Sequence, residues 1–187
     1  KSSGNYNSTI GLPLSILSFN TNHQYIILEL GANKKGEIKK LCDIVKPDYS
    51  LITNISNAHI KNYNSLEEIA QNKAEIFYSL SKEGIAFINL NDERIKKIPL
   101  KSKSISFGIN NKNAKFNGNS TGADILQINK LEISIPEQIT HLKEIILPIY
   151  AITKTLGVNS LDFQKYINSF KPLNGRGNII SINGYKI

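Results

Sequence analysis

Apolar runs and helical patterns alternate along the chain, and this alternation constrains the fold more than any other feature. Continuous apolar runs at 24–30, 49–55 and 84–90 predict strands that are buried on both faces. Helical periodicity at 36–45 and 65–80 falls between these runs. Strands joined by helices imply right-handed crossovers, so we predict an α/β fold with a mostly parallel sheet and helices on both faces.

The remainder of the chain adds further elements around this pattern. The pattern changes from about 112 to 136. There "ADILQINKLEISIP" alternates and predicts a small antiparallel hairpin region, with a turn near Asn129 and Lys130. Ser160 is the predicted cap of a late helix. The other predicted elements are a helix at 10–19, a strand at 104–109, helices at 141–157 and 160–170, and a strand or hairpin in "NIISINGYKI".

Composition narrows the class of protein. The 187 residues suit one domain, and 23 Lys and Arg against 15 Asp and Glu give a net charge of +8. Because the lysines are scattered and no nucleic-acid motif accompanies them, we expect no nucleic-acid partner. The single cysteine, Cys42, excludes an internal disulfide and fits a reducing, cytoplasmic compartment. We expect no membrane span, since no apolar run is long enough.

Polar side chains follow the first two predicted strands. Glu29 ends the first, and His59 lies in the loop after the second. Because ligands of parallel sheets sit beyond the carboxyl ends of the strands, both residues are candidates for a site there. Glu29 either pairs with a lysine or caps a helix, or it binds a metal ion. His59 is either an ordinary polar residue or a ligand.

Two cations and one glycine-containing turn complete the candidates. Lys73 lies beside apolar positions of its helix, and it either snorkels to solvent or has a role in a site. Arg176 stands between glycines in "NGRGN", which is a surface turn or a phosphate contact. "GANKKGEI" is a poor phosphate-binding loop, because Glu37 and Ile38 occupy the positions of the required lysine and hydroxyl.

Four stretches together resemble one family. "GNYNSTIGLPLSIL", "LELGANKKGEI", "ITNISNAHIKNYNSLEEIAQNKAEIF" and "PLNGRG" are similar to the central domain of the Mur ligases. The family pattern G-N-x-N-N-x-I-G-x-P-L is nearly matched, with Ser8 replacing the second of two adjacent asparagines. The resemblance covers most of the chain and is weakest from about 93 to 140.

The resemblance implies an ATP-dependent amide ligase of peptidoglycan synthesis that uses Mg²⁺. ATP would phosphorylate a carboxylate of UDP-N-acetylmuramoyl-tripeptide, and the amine of D-alanyl-D-alanine would attack the acyl phosphate. Catalysis of this kind rests on positioning and on cations that neutralise phosphate charge. We expect a monomer.

Family roles carry over only onto matching positions. The resemblance implies that Glu29 and His59 bind Mg²⁺, and that Lys73 is carbamylated and helps to hold a second Mg²⁺. These three would be the catalytic residues. The resemblance further implies nucleotide contacts by Asn54, Arg176 and His141, and substrate contacts by Asn5 and Asn7.

The chain also departs from the family pattern. It contains no G-x-x-G-K-T-[ST] loop, no methionine, and no D-D-S-Y-N-A-N-P segment after "GYKI". We therefore expect a central domain truncated at both ends, without the phosphate loop and N-terminal UDP-binding domain upstream or the C-terminal domain downstream. We expect this piece to be inactive in isolation. The family pattern H-N-x-x-N is only partly kept. His141 matches its histidine, but Leu142 and Ile145 replace its two asparagines. Two alternatives therefore stay open: another Mur-like ligase of the cyanophycin or folylpolyglutamate synthase type, and a non-catalytic binding domain descended from a ligase.

Overall fold

The computed structural model describes residues 6–20, 22–56, 63–122, 124–172, 181–182 and 185–186, the last two pairs for the backbone alone. The chain divides into two compact units. The first comprises residues 1–86 and 92–104, and the second comprises residues 87–91 and 105–187. Each is described by itself.

The first unit is mainly helical. Its elements are α1 (Gly11–Leu17), α2 (Glu37–Val45), β1 (Tyr49–Leu51), α3 (Leu66–Tyr78), the start of β2 (Ile85–Asn89), a 3₁₀ helix (Ile95–Lys97) and the start of β3 (Lys103–Ile109). The core of this unit includes the fully buried side chains of Leu12, Leu41 and Phe77. Cys42 is buried on α2, as expected for a small core residue.

Local sequence explains where the helices of the first unit begin and end. Pro13 lies in the first turn of α1, where a missing N–H is tolerated. The α2 helix ends before Pro47, with Lys46 in the left-handed conformation (φ 48°). Ser65 caps α3, because its side chain accepts a hydrogen bond from the Glu68 N–H.

The second unit holds the end of β2, most of β3 and the rest of the chain. Its further elements are β4 (Phe116–Ser120), β5 (Ile125–Ile128), β6 (Leu131–Ser134), a 3₁₀ helix (Glu137–Leu142), α4 (Lys143–Thr155), α5 (Ser160–Ser169), β7 (Ser181–Ile182) and β8 (Tyr185–Lys186). The aromatic rings of Phe116, Tyr150 and Phe163 meet edge to face, with centroids 5.9 Å and 5.0 Å apart. These contacts join the sheet to both helices.

Six strands form one sheet in the order β1-β2-β3-β4-β5-β6. β3 and β4 are parallel, with Phe107 opposite Phe116, whereas β4–β5 and β5–β6 are antiparallel. The predicted fold class, a mostly parallel sheet with helices and a small antiparallel region, is confirmed. The predicted turn at Asn129 and Lys130 joins β5 to β6, and Asn129 has a φ of 54°.

The prediction of a buried strand at 24–30 is wrong. No ladder involving these residues forms among the described parts of the chain, and Tyr25, Ile26 and Ile27 are 55%, 49% and 73% exposed. A strand exists only through its ladder, so an apolar run without a neighbouring strand stays an extended, exposed segment. Glu29 therefore does not end a buried strand. It lies in an extended stretch just before the turn at 31–36.

Other departures are smaller. The second predicted strand, 49–55, shortens to β1, and the 3₁₀ helix at Glu137–Leu142 precedes α4. The cap of α5 is Asn159 and not Ser160, since the Asn159 side chain accepts the Asp162 N–H at 2.9 Å. Among the described residues, no helix combines the length and the apolar character needed to cross a membrane.

Candidate functional site

The structure brings Asn7 and Glu29 together. Asn7 Nδ2 donates to Glu29 Oε1 at 3.2 Å, and the Asn7 carbonyl accepts the Gly31 N–H at 2.8 Å. A Cβ at position 31 would lie 2.9 Å from the Asn7 side-chain amide, so a larger residue there would have to displace that amide. The Glu29 carboxylate is exposed, and the Asn7 amide orients it.

Lys73 is half-buried on α3, and its Nζ donates to the backbone carbonyl of Asn54 at 3.1 Å. Burial lowers the pKa of the Lys73 ammonium, and the Asp92 carboxylate opposes that shift. A lowered pKa increases the fraction of neutral amine, which is the nucleophilic form of a lysine. The structure thus joins two of the predicted residues and gives Lys73 an environment suited to amine chemistry.

Asp92 is a residue whose role the sequence reasoning missed. Its Oδ2 accepts the Ile55 N–H at 2.7 Å, and its Oδ1 accepts the N–H groups of Arg94 and Ile95 at 2.9 Å and 3.0 Å. Asp92 therefore caps the 3₁₀ helix and fixes the chain directly after Asn54. An aspartate two to three residues before the first helical position was the available signal.

The turn at 31–36 has its backbone amides occupied from within the chain. Glu37 Oε2 accepts the N–H groups of Asn33 and Lys34 at 2.8 Å and 3.0 Å. These backbone hydrogen bonds lower the pKa of the Glu37 carboxyl. The amides of Asn33 and Lys34 are therefore not available to a phosphate, in agreement with the prediction that this segment is not the phosphate loop.

The described residues of the first unit line a smaller and a larger cavity. The smaller, of about 50 Å³, is lined by residues that include Leu30 and Lys73, so the residue after Glu29 and the candidate lysine share one wall. The larger, of about 500 Å³, lies between α2 and α3 and contains none of the predicted site residues. Two lysines, Lys39 and Lys46, line it, and Lys39 is already paired with Asp43 at 2.7 Å. We place the candidate site at the smaller cavity, because the predicted residue Lys73 lines it.

Of the remaining predicted site residues, only His141 lies in the part of the chain that the structure describes. Asn5, His59 and Arg176 lie outside the described residues. His141 is exposed in the 3₁₀ helix of the second unit. Within the described ranges, no cluster of three or more His, Cys, Asp or Glu residues could hold a metal ion. The roles of all these residues stay predictions.

Curated relatives align with the whole chain. UDP-N-acetylmuramoyl-tripeptide–D-alanyl-D-alanine ligase of Rickettsia prowazekii is 36% identical over an alignment of 199 positions that covers 100% of this chain and 44% of the relative. The enzyme of the same name from Buchnera aphidicola subsp. Baizongia pistaciae is 34% identical over 97% of this chain and 42% of its own length. The chain thus spans less than half the length of these relatives.

Solved structures agree on the fold. MurF from Acinetobacter baumannii matches with a TM-score of 0.84 at 24% identity, covering 99% of this chain and 43% of that one. MurF from Thermotoga maritima in complex with ADP matches with a TM-score of 0.80 at 24% identity, covering 98% and 44%. The family model described as the Mur ligase middle domain matches residues 1–163. The chain therefore belongs to the Mur ligase middle domain family.

Proposed function

We propose that the complete protein is an ATP-dependent amide ligase that joins D-alanyl-D-alanine to UDP-N-acetylmuramoyl-tripeptide. Two relatives with that name align over 97–100% of the chain. The structural observation that carries the proposal is the environment of Lys73, which lies within the family motif. Its half-buried amine contacts the Asn54 carbonyl, and burial lowers its pKa.

ATP and Mg²⁺ are the cofactors of this proposal. Glu29 supplies an exposed carboxylate, a hard oxygen donor of the kind that Mg²⁺ prefers. His59 and a carbamylated Lys73 would complete the protein ligands, because a carbamate presents carboxylate-like oxygens where an ammonium would repel the ion. The donor set fits Mg²⁺, which when bound would neutralise charge on the phosphates and on the acyl phosphate.

Carbamylation of Lys73 would require its neutral amine. The nitrogen lone pair attacks the carbon of CO₂, an N–C bond forms, and one C=O π bond breaks with its electron pair moving to oxygen. The nitrogen then loses one proton to solvent. A lowered pKa favours this step, since more of the amine is unprotonated near neutral pH. The product is an anion, so the lysine changes from a cation that contacts Asn54 to a donor for a metal ion.

The other predicted residues act by binding. Lys73 contacts the segment after β1 through the Asn54 carbonyl, and Asp92, which was not among the predicted residues, fixes that segment through the Ile55 N–H. We propose that Asn54, Arg176 and His141 contact the nucleotide. Asn7 would contact the substrate while its amide orients Glu29, and Asn5 would assist it. We further propose a monomeric, cytoplasmic enzyme, and we expect the 187-residue chain alone to be inactive because it has no lysine-bearing phosphate loop.

The proposal is tested with the complete protein. Phosphate release should depend on ATP, on Mg²⁺, on the UDP-linked tripeptide and on D-alanyl-D-alanine together. Lys73→Ala should lower kcat by about 100-fold or more, and added bicarbonate should not restore it because no amine remains. Growth in ¹³C-bicarbonate should give a carbamate signal by NMR that Lys73→Ala removes.

Lys82→Ala is the matched control, since Lys82 is an exposed lysine beyond the end of the same helix. It should keep both the activity and the carbamate signal. Unchanged turnover in Lys73→Ala would exclude the carbamate role. A complete protein that binds no ATP in a calorimetric titration would instead favour the alternative of a non-catalytic binding domain. Leu142 and the 52% exposed Ile145, which replace the asparagines of the family pattern, are the reason for that alternative.

A further inference from the structure

Asn72 is a buried polar residue that no part of the proposed chemistry uses. It lies on α3 directly before Lys73, and only 4% of it is exposed. Its Oδ1 accepts the Gly36 N–H at 3.1 Å, and its Nδ2 donates to the Tyr63 hydroxyl at 2.7 Å. A buried amide is costly unless it is hydrogen-bonded, so these two partners hold Asn72 in one orientation.

The first partner belongs to the turn that follows Glu29. Gly36 ends this turn and precedes α2, and its φ of 81° is a conformation that favours glycine. The start of the same turn, Gly31, is tied to Asn7, which orients the Glu29 carboxylate. One end of the turn is thus held at the candidate metal ligand, and the other end is held by Asn72 on the helix that carries Lys73.

The second partner of Asn72, the Tyr63 hydroxyl, lies in the loop before α3. Tyr63 is 8% exposed, and burial raises the pKa of its hydroxyl, which therefore stays protonated near neutral pH. Together with Leu30 and Lys73, both Tyr63 and Asn72 line the cavity of about 50 Å³. The segment that follows Glu29, the residue Tyr63 and the helix α3 therefore converge on one small space, with the Asn72 amide between them.

We propose that Asn72 is a positioning residue for the cation site: its amide fastens the turn after Glu29, together with Tyr63, to the helix that carries Lys73. The consequence is a fixed spacing between the Glu29 carboxylate and the Lys73 side chain. Asn72 itself touches neither the metal ion nor a substrate. The inference rests on the proposed function, because it assumes that Glu29 and Lys73 act on one cation.

A purely structural role for Asn72 makes a different prediction. A hydrogen-bonded pair in a core can be replaced by apolar groups of similar shape with little loss of stability. A pair that only fills the core would then be dispensable for metal binding. Residues that orient metal ligands, in contrast, typically change metal affinity by about 10- to 100-fold when they are replaced.

The test uses the complete protein and the double variant Asn72→Leu with Tyr63→Phe. This variant removes the Asn72–Tyr63 pair as a whole and leaves the part-buried Gly36 N–H without its acceptor. Mn²⁺ affinity, read from the EPR signal of the free ion, should weaken by about 10- to 100-fold. The Mg²⁺ concentration for half-maximal turnover should rise by a similar factor. The midpoint of thermal unfolding should fall only by the loss of the Gly36 hydrogen bond, so the affinities are compared at a temperature at which both proteins are folded.

The single variant Tyr63→Phe keeps the Gly36 contact, so its Mn²⁺ affinity should lie between those of the wild type and the double variant. Gln71→Ala is the matched control, because Gln71 is exposed one residue before Asn72 on the same helix. Wild-type Mn²⁺ affinity in the stable double variant would overturn this inference alone. A wild-type protein that binds no Mn²⁺ would overturn the proposed metal chemistry, and this inference with it.

Discussion

At the scale of single residues, a side-chain carboxylate can accept hydrogen bonds from backbone N–H groups that could otherwise bind an anion. The turn "GANKKG" presents the N–H groups of Asn33 and Lys34, and Glu37 Oε2 binds both. The spacing of the two glycines suggested a phosphate loop, whereas the residue at position 37 argued against it. The chemistry of one side chain therefore decided what the turn can bind, and that decision was readable from the sequence.

Glu37 also gives a prediction about pH. Hydrogen bonds from the Asn33 and Lys34 amides lower the pKa of Glu37 in the folded protein, so its carboxylate contributes stability above its unfolded pKa. That contribution is lost as the pH falls through the lower, folded pKa. Glu37→Gln should therefore destabilise the protein near neutral pH, and the difference from the wild type should shrink below about pH 4.

Urea unfolding of both proteins at neutral and acidic pH measures this difference. Glu144→Gln is the control, since Glu144 is an exposed glutamate in the first turn of another helix. A difference for Glu37→Gln that is the same at every pH would show that the charge of Glu37 does not matter to the turn.

At the scale of elements, capping residues were the most reliable local signal and also the source of one error. "SLEE" placed the start of α3 correctly, because Ser65 has a Glu three residues later. For α5, Asn159 and Ser160 are both residue types that cap helices well. The structure shows that the Asn159 side chain accepts the hydrogen bond from the Asp162 N–H. The strand β4 was not predicted, because its sequence "FNGNS" has the polar and glycine content of a loop.

The cap of α3 can be tested directly. Ser65→Ala should lower the free energy of unfolding by about 1 kcal/mol, because the Glu68 N–H at the helix start loses its acceptor. Gln71→Ala on the exposed face of the same helix should change it by less than about 0.5 kcal/mol. Equal effects of the two substitutions, measured by denaturant unfolding, would mean that the Ser65 hydrogen bond contributes little.

At the scale of the whole molecule, the largest difference concerns residues 24–30. Their apolar pattern is typical of a strand buried on both faces, yet their side chains are mostly exposed and no ladder holds them among the described residues. Residues 10–17 show a related feature, since Ile10 and Leu17 are 76% and 81% exposed. Burial of these side chains needs a neighbour that the described residues do not provide.

Hydrogen exchange tests whether the complete protein provides that neighbour. We expect the backbone amides of residues 25–28 to exchange at least roughly 100-fold more slowly in the complete protein than in the 187-residue chain. The reason is that a paired strand protects its amides, whereas an extended segment without a ladder does not. The amides of β2 serve as the internal control and should be protected in both, and equal exchange of residues 25–28 in both would contradict the expectation.

Local sequence patterns were enough to predict the α/β class, the helices α2 and α3, and the short list of residues that could carry chemistry. These features depend on periodicity, caps and motif spacing, all of which act over a few neighbouring residues. The contacts of the site follow from packing instead: Asn7 orients Glu29, Lys73 is half-buried against Asn54, and Asn72 joins Gly36 to Tyr63. Hydrogen bonds between residues 9 to 36 positions apart depend on how the elements pack, and no local pattern encodes that packing.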